Sequence, residues 1–330
     1  ATERPPDRAE RTDLGHNPLI FDTDGGVDDA QALLMLIAAG RVPMAVTTVF
    51  GNVSLDHATA NMLALLTLAG VDVPVHSGAD RPLNAPMIHA KHVHGEEGLG
   101  KTARPPTDRT IASADAVTFL RDTFRTAAAE GRKVDLLMIG PFTNLALALR
   151  LEPGILAGIG QLTIMGGTVY GRGNTTPASE FNVYADPEAA QIVFTCGADT
   201  LIAPWEPCVT HKITGDEMEA LFTGLPETPY MILCRDLARH ARAVANGYGR
   251  GDSFSFVDPL AAAAVIEPGI VTQSVTASVD VALAPGIARG MLVVDPSGRL
   301  GTPKVTLIET ARLDRLTALY AQSVAYTPAN

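Results

Sequence analysis

Two apolar periods alternate along the first two thirds of this chain. Residues 18–22 carry the solid run Leu19-Ile20-Phe21, the pattern of a strand buried on both faces. Over 28–39 the apolar positions Ala30, Leu33, Leu34 and Ile37 fall at helix spacing, and Gly40 stands where that helix would stop. Residues 42–50 return to a buried-strand pattern. Ser54 then caps a helix reaching Ala69, with Gly70 just past its end, and 73–76 is a short strand. The alternation resumes with a helix over 112–130, a strand over 134–139, a helix over 143–151, a strand over 161–165, a helix over 186–196 and a strand over 200–203. Beyond residue 270 it gives way to short strands at 271–282, 290–294 and 304–309 and a last helix over 311–323. Two segments follow neither period: 77–110, rich in Pro, Gly, His and charge, and the Gly-rich 166–180. A long structureless segment inside a compact domain is usually functional or disordered.

Strands alternating with helices imply an α/β fold: a mostly parallel open sheet flanked by helices, with extra short strands near the C-terminus. Ligands bind such sheets at the carboxyl ends of the strands. The corners at 22–29, Gly51-Asn52, 140–144 and 165–167 all hold that position and should converge on one crevice. No internal repeat and no Ser- or Pro-rich linker divides the chain, so we expect a polar arm over 1–17 and a single domain over 18–330.

Composition narrows the class. A hydrophobic share of 46% with 18% charged residues fits a well-buried core. The net charge of −11 argues against a nucleic-acid polymer as partner, which would need clustered Lys and Arg. A small molecule, neutral or reached through a cation, fits better. The three cysteines, Cys196, Cys208 and Cys234, are odd in number and form no CxxC pair, which speaks against a zinc site or a disulfide framework and for a reducing, cytoplasmic setting. No apolar run reaches the ~18 residues of a membrane span, and 1–17 lack the apolar region of a signal peptide.

The densest chemistry lies at Asp22-Thr23-Asp24-Gly25-Gly26-Val27-Asp28-Asp29, four carboxylates in eight positions. A turn leading into a helix with an acidic first turn accounts for Asp28 and Asp29. It does not account for Asp22 and Asp24 at the end of an apolar strand. Carboxylates so close repel unless a proton or a cation intervenes, and a hard cation with oxygen ligands is the simplest way to hold them.

This stretch resembles the DTDPGxDDA signature of the nucleoside hydrolases. Gly51-Asn52, His94-Gly95-Glu96-Glu97-Gly98-Leu99, Gly140-Pro141-Phe142-Thr143-Asn144, Met165-Gly166-Gly167, Asn174-Thr175-Thr176-Pro177, Glu180-Phe181-Asn182, Asp186-Pro187-Glu188-Ala189-Ala190 and Asp258-Pro259 agree with the same family in order. The resemblance implies a Rossmann-like nucleoside hydrolase fold and hydrolysis of the N-glycosidic bond of ribonucleosides with one Ca²⁺. It implies that Asp24, Asp29, Asp258 and the carbonyl oxygen of Thr143 hold the ion, and that Asp24 is also the general base for the attacking water. Asp28 and Asn52 would hold the ribose hydroxyls. Asn174, Glu180 and Asn182 would face the 5′ side and the sugar ring, with Met165 packed under the ribose. Asp22 would support its neighbours. Family members are usually homodimers or homotetramers.

Two departures bear on the expectation. The family's Pro after the second Asp is Gly25 here, which suggests a looser loop. Val257 stands where many members that accept inosine or pyrimidine nucleosides carry a His proposed to protonate the leaving base. Purine-preferring members also lack that His and sandwich the purine between aromatic rings. Phe254, Phe256 and Tyr248, with His94 from the other loop, offer such contacts. The resulting expectation is a purine preference for inosine, guanosine and adenosine, against the alternative of a broad inosine-uridine or pyrimidine hydrolase. His89 and His92 read as solvated lid residues, His211 as a satisfied structural histidine, and Trp205 as core or interface. The segments 84–105 and 245–257 read as lids.

Two readings of other classes compete. Asp22-Thr23-Asp24-Gly25 resembles the DxDG nucleophile loop of haloacid-dehalogenase-like phosphatases, with Gly251-Asp252 and Asp258 as a faint late acidic motif. A non-catalytic, calcium-dependent nucleoside binder would keep the pocket and lose leaving-group activation at Val257.

Overall fold

The computed structural model describes residues 15–328; residues 1–14 of the expected arm lie outside it. In chain order the elements are β1 (Leu19–Thr23), α1 (Val27–Ala38), β2 (Ala45–Thr48), α2 (Leu55–Leu68), β3 (Val75–Ser77), α3 (Lys91–His94), α4 (Ala116–Ala129), β4 (Val134–Met138), α5 (Thr143–Leu151), β5 (Ile159–Met165), α6 (Phe181–Ala185), α7 (Pro187–Phe194) and β6 (Asp199–Ala203). There follow α8 (Trp205–Thr210), β7 (Lys212–Thr214), α9 (Gly215–Ala220), α10 (Pro229–Gly247), β8 (Ser253–Ser255), α11 (Asp258–Ile266), β9 (Val271–Val281), β10 (Leu292–Asp295), β11 (Lys304–Ala311) and α12 (Leu313–Val324).

Nine strands form one sheet in the order β10-β9-β11-β6-β5-β4-β1-β2-β3. The run from β3 to β11 is parallel throughout, and β9 pairs antiparallel with both β11 and β10. The late strands therefore extend the main sheet, and β9, at eleven residues, fills nearly the whole of the strand expected at 271–282. β1 lies at the centre between β4 and β2, and all five of its residues are buried, as its unbroken apolar run requires. α1 is apolar nearly all round and is buried nearly all round, packed on α10, α11 and α12. The alanine-rich α11, Ala261 to Ala264, presents small side chains that let the two helices approach.

The region after 203 departs most from the sequence expectation. α10 was not anticipated, although Thr228 caps it, Pro229 opens it, and Tyr230, Leu233, Cys234, Leu237 and Ala238 make a helical apolar face. The expected lid at 245–257 is in part the last turn of α10 and in part β8, which pairs with β7 in a separate two-stranded sheet. The other expected lid, 84–105, contains the single-turn α3. Among the described residues no helix is long and apolar enough to cross a membrane.

Candidate active site and cation centre

The carboxyl ends of the adjacent strands β2, β1, β4 and β5 face one cavity of about 580 Å³, within the range of small-molecule sites. Its most constrained wall is the turn from β1 to α1. Gly25 sits at φ +72°, and a Cβ there would lie 2.4 Å from Ala58 Cα. The turn is therefore tight where the sequence suggested a looser loop. Proline cannot adopt this φ. Gly25→Pro should lower the melting temperature by several degrees and depress turnover; an unchanged melt would contradict the packing described here. At the next position a Cβ on Gly26 would fall 2.5 Å from Asn52 Nδ2 and 2.6 Å from His94 Nδ1.

Three buried carboxylates on this turn have different partners. Asp22 Oδ2 accepts from Thr47 Oγ1 (2.6 Å) and Asn144 Nδ2 (2.8 Å), which ties β1 to β2 and α5. Asp24 Oδ2 accepts the backbone N–H of Asn52 (2.7 Å), and its Oδ1 accepts Asn52 Nδ2 (3.0 Å). A Cβ on Gly51 would lie 2.1 Å from Asp24 Oδ2, and one on Gly140 3.0 Å from Asp24 Cβ, so both corners must be glycine for the carboxylate to fit. Asp29 Oδ2 accepts from Gly26 N–H (2.8 Å) and Asn52 Nδ2 (3.0 Å), and its Oδ1 accepts from Thr23 Oγ1 and the Asp24 N–H. Asp29 thus caps α1 and joins the acidic cluster at once.

Oxygens of Asp28, Asp29 and Asp258 lie within 4.8 Å of one another. Asp24, expected beside Asp29 and Asp258, accepts one hydrogen bond from Asn52 at each oxygen, and Asp28 carries an unpartnered buried Oδ1. Asp258, at the start of α11, is buried, and among the described residues nothing donates to its carboxylate. Burial raises every carboxyl in the cluster: Asp28 to about 6, and Asp24 and Asp258, which also feel their acidic neighbours, well above the usual range. Asp22 is likewise pushed up by burial, to about 7. Buried oxygens without donors, an all-oxygen set and mutual repulsion together fit a hard cation. Thr143, at the start of α5, is buried at the β4 corner, and its hydroxyl donates to Asp186 (2.6 Å).

His94, at the end of α3, accepts the Val27 N–H at Nδ1 (3.1 Å). Burial lowers its pKa to about 4, assisted by His240 and His92 nearby. A neutral ring with a bare Nδ1 makes no ion pair with Asp28, despite the 3.5 Å approach of its Oδ1.

The opposite wall is built from β5 and the loop into α6. Asn182 Nδ2 donates to the carbonyls of Ile139 (3.0 Å) and Met165 (3.1 Å) and touches the Met165 sulfur (3.5 Å). Glu180 caps α6: its oxygens accept from the N–H groups of Asn182, Val183 and Gly167. Burial nevertheless raises its pKa to about 7. Asn174 Oδ1 accepts the Phe181 N–H (2.8 Å). Met165, Asn174, Glu180 and Asn182 all line the same cavity as Asp28, Asn52, His94 and Asp258.

The base-contact expectation needs correction. Phe254 and Phe256 are fully buried and pack on Tyr320, with ring centroids 4.9 and 5.6 Å away; neither lines the cavity. The aromatic rings that do line the cavity, besides the histidines, are Phe181, Tyr184, Trp205 and Tyr248. Trp205 packs against the main core, as expected, and its half-buried ring also forms part of the cavity wall. His89 and His92 also line the cavity, and His89 Nδ1 donates to the Gly51 carbonyl (2.8 Å). Gln31, His240 and Arg250 are cavity residues that the sequence did not single out. His211 is structural as expected, with Nδ1 2.7 Å from the Pro207 carbonyl oxygen. The late acidic motif of the phosphatase reading does not assemble, since Asp252 pairs at the surface with Arg242.

A family model described as inosine-uridine preferring nucleoside hydrolase matches residues 19–318. Uridine nucleosidase 1 of Arabidopsis thaliana is 36% identical over 264 residues, 78% of this chain and 76% of that protein. Among solved structures, a plant nucleoside hydrolase superposes with a TM-score of 0.86 at 30% identity, covering 94% of this chain and 99% of that one. An inosine-guanosine nucleoside hydrolase superposes with a TM-score of 0.84 at 26% identity, covering 94% and 100%.

Proposed function

As this chain belongs to the family of inosine-uridine preferring nucleoside hydrolases, N-glycosidases that act on nucleosides, we propose that it hydrolyses purine ribonucleosides to ribose and free base with the help of one Ca²⁺. The observation that carries the reading is the convergence of Asp28 and Asp29 with Asp258, from the far end of the chain, as buried oxygens in a nucleoside-sized cavity.

Asp24, Asp29, Asp258 and the carbonyl oxygen of Thr143 would hold the ion, which when bound orients and acidifies the attacking water and anchors the ribose diol. Asp24 takes the proton as the water adds to C1′. Asn52 has spent both amide hydrogens on Asp24 and Asp29, so its Oδ1 is left to accept from a ribose hydroxyl. The unpartnered Asp28 oxygen accepts from the neighbouring hydroxyl. Asn182 has likewise committed Nδ2 to backbone carbonyls and offers Oδ1, whereas Asn174 has committed Oδ1 and offers Nδ2. Glu180, already bonded by three N–H groups, supplies negative potential toward the positive charge that develops on the ring. Met165 packs beneath the sugar.

A purine preference is supported by the Trp205 and Tyr248 faces at the base end and by the lack of a proton donor at Val257. The likeness to an inosine-guanosine hydrolase agrees with it, while the Arabidopsis relative named for uridine sets the competing expectation. Ribose release from inosine, guanosine, adenosine, uridine and cytidine tests both levels. Inosine and guanosine should show the highest kcat/KM. Faster turnover of uridine would refute the preference, and no release from any of the five would refute the function.

A further inference from the structure

Val257 leaves the departing base without the acid that its position would otherwise supply, and the cavity carries a cation in the same region. The Arg250 guanidinium lies over two rings, 5.3 Å from the Trp205 centroid and 5.7 Å from that of Tyr248. All three residues line the cavity with Val257. Its Nε is buried and makes no hydrogen bond. Among the described residues no carboxylate pairs with it, although the chain holds 36 acidic residues against 25 basic ones. The arginines of neighbouring α10 behave differently: Arg235, Arg239 and Arg242 pair with Glu227, Glu219 and Asp252. The Arg250 backbone is anchored, with its N–H on the Ala245 carbonyl (3.0 Å) and its own carbonyl accepting from Ser253 Oγ and Lys212 Nζ.

Two more cavity groups share this state. Ser255 Oγ and Gln31 Nε2 are buried without partners. Three unpartnered groups able to donate, one of them charged, ask for a ligand that presents acceptors. Hypoxanthine, guanine, xanthine and uracil present ring carbonyl oxygens; adenine offers an amine instead.

We infer that Arg250 is the leaving-group electrophile of this chain, pairing with a carbonyl oxygen of an oxo-base as the base departs; the inference rests on the hydrolase reading. As the C1′–N bond breaks, its electron pair passes to the base nitrogen and delocalises onto that oxygen, where the guanidinium meets the charge. The water adding to C1′ loses its proton to Asp24, which passes it on to solvent, and the base anion takes one proton from solvent. Nucleoside and water thus give ribose and neutral base. A planar guanidinium held on aromatic faces suits an oxyanion set on a flat ring.

The test compares wild type, Arg250→Met and Arg250→Lys on inosine, adenosine and p-nitrophenyl β-D-ribofuranoside, whose phenolate leaves unaided. Thermal melts check that each variant is folded. Loss of an electrophilic contact of this kind is worth about 100-fold, so Arg250→Met should lose about that factor in kcat on inosine. On the nitrophenyl riboside it should stay close to wild type. The preference for inosine over adenosine should collapse, and Arg250→Lys should recover part of the inosine rate. Equal losses on inosine and the nitrophenyl riboside, or no loss on inosine, would overturn the inference while leaving the hydrolase reading intact. Wild type that cleaves the nitrophenyl riboside but no nucleoside would overturn both.

Discussion

Asp258→Ala is expected to abolish ribose release, and Asp24→Asn to lower kcat by about 10²- to 10⁴-fold, the range for loss of a general base. The two losses have different origins. Asp258 is buried, and among the described residues nothing donates to it, so no cap or pairing is lost with it. Removing it deletes an oxygen from the cation centre and relieves repulsion in the empty cluster. The chelated Asp258→Ala protein should therefore melt no lower than chelated wild type. Asp24 is wedged between Gly51 and Gly140 and held by Asn52, so Asn at this position keeps the shape and removes the base. Asp28→Asn supplies the contrast, raising KM more than it lowers kcat, because Asp28 accepts from the ribose. Steady-state kinetics on inosine beside thermal melts would separate the three. Near-normal rates for Asp24→Asn or Asp258→Ala would refute the assignment.

Chelated protein should lose stability as pH rises from 5 to 8. Burial raises the carboxyl of Asp28 to about 6 and those of Asp22 and Glu180 to about 7, with Asp24 and Asp258 also raised well above the usual range. Their unfolded values lie near 4. Between those limits the folded chain binds more protons than the unfolded one, so the contribution is complete below about pH 4 and is lost as pH climbs through the folded values. A single carboxyl raised by about three units corresponds to about 4 kcal/mol across that window. A cation balances the ionised cluster and removes much of the loss. Melts with chelator should fall from pH 5.5 to pH 7.5, and excess Ca²⁺ should restore the upper value. Equal chelated melts at both pH values would contradict the buried cluster.

The parts of the site that were legible in the sequence are those set by one strand end and its next few residues. The run Leu19 to Phe21 ending in Asp22 and Asp24, the Gly51-Asn52 corner and the start of α5 at Thr143 stand where the alternating periods placed them, because a parallel strand buried on both faces leaves little choice of register. The aromatic contacts were misread for a reason the sequence also contains. In Ser253-Phe254-Ser255-Phe256-Val257 the two rings alternate with Ser255 and Val257, and a strand sends alternate residues to opposite faces. The Phe pair enters the core on Tyr320, and Ser255 and Val257 face the cavity. α10 is hard to read from the sequence despite its Thr228 cap and apolar face, because its intervening Arg and Asp residues dilute the hydrophobic signal. Gly25 seemed a relaxed substitute for proline, and only the packing of Ala58 against it shows a turn that excludes a side chain. Arg250 has only Tyr248 as a local signal, since the other ring it covers, Trp205, is distant in sequence and reached only through the fold.

Hydrolysis in this cavity should depend on a cation held by the aspartate cluster. The most direct test is to strip the protein with chelator, titrate Ca²⁺ back, and follow bound ion and ribose release from inosine in the same samples. The stripped protein should show no turnover, and activity should rise in step with ion binding, saturating at one Ca²⁺ per chain. Full turnover in protein shown to hold no ion would contradict that dependence.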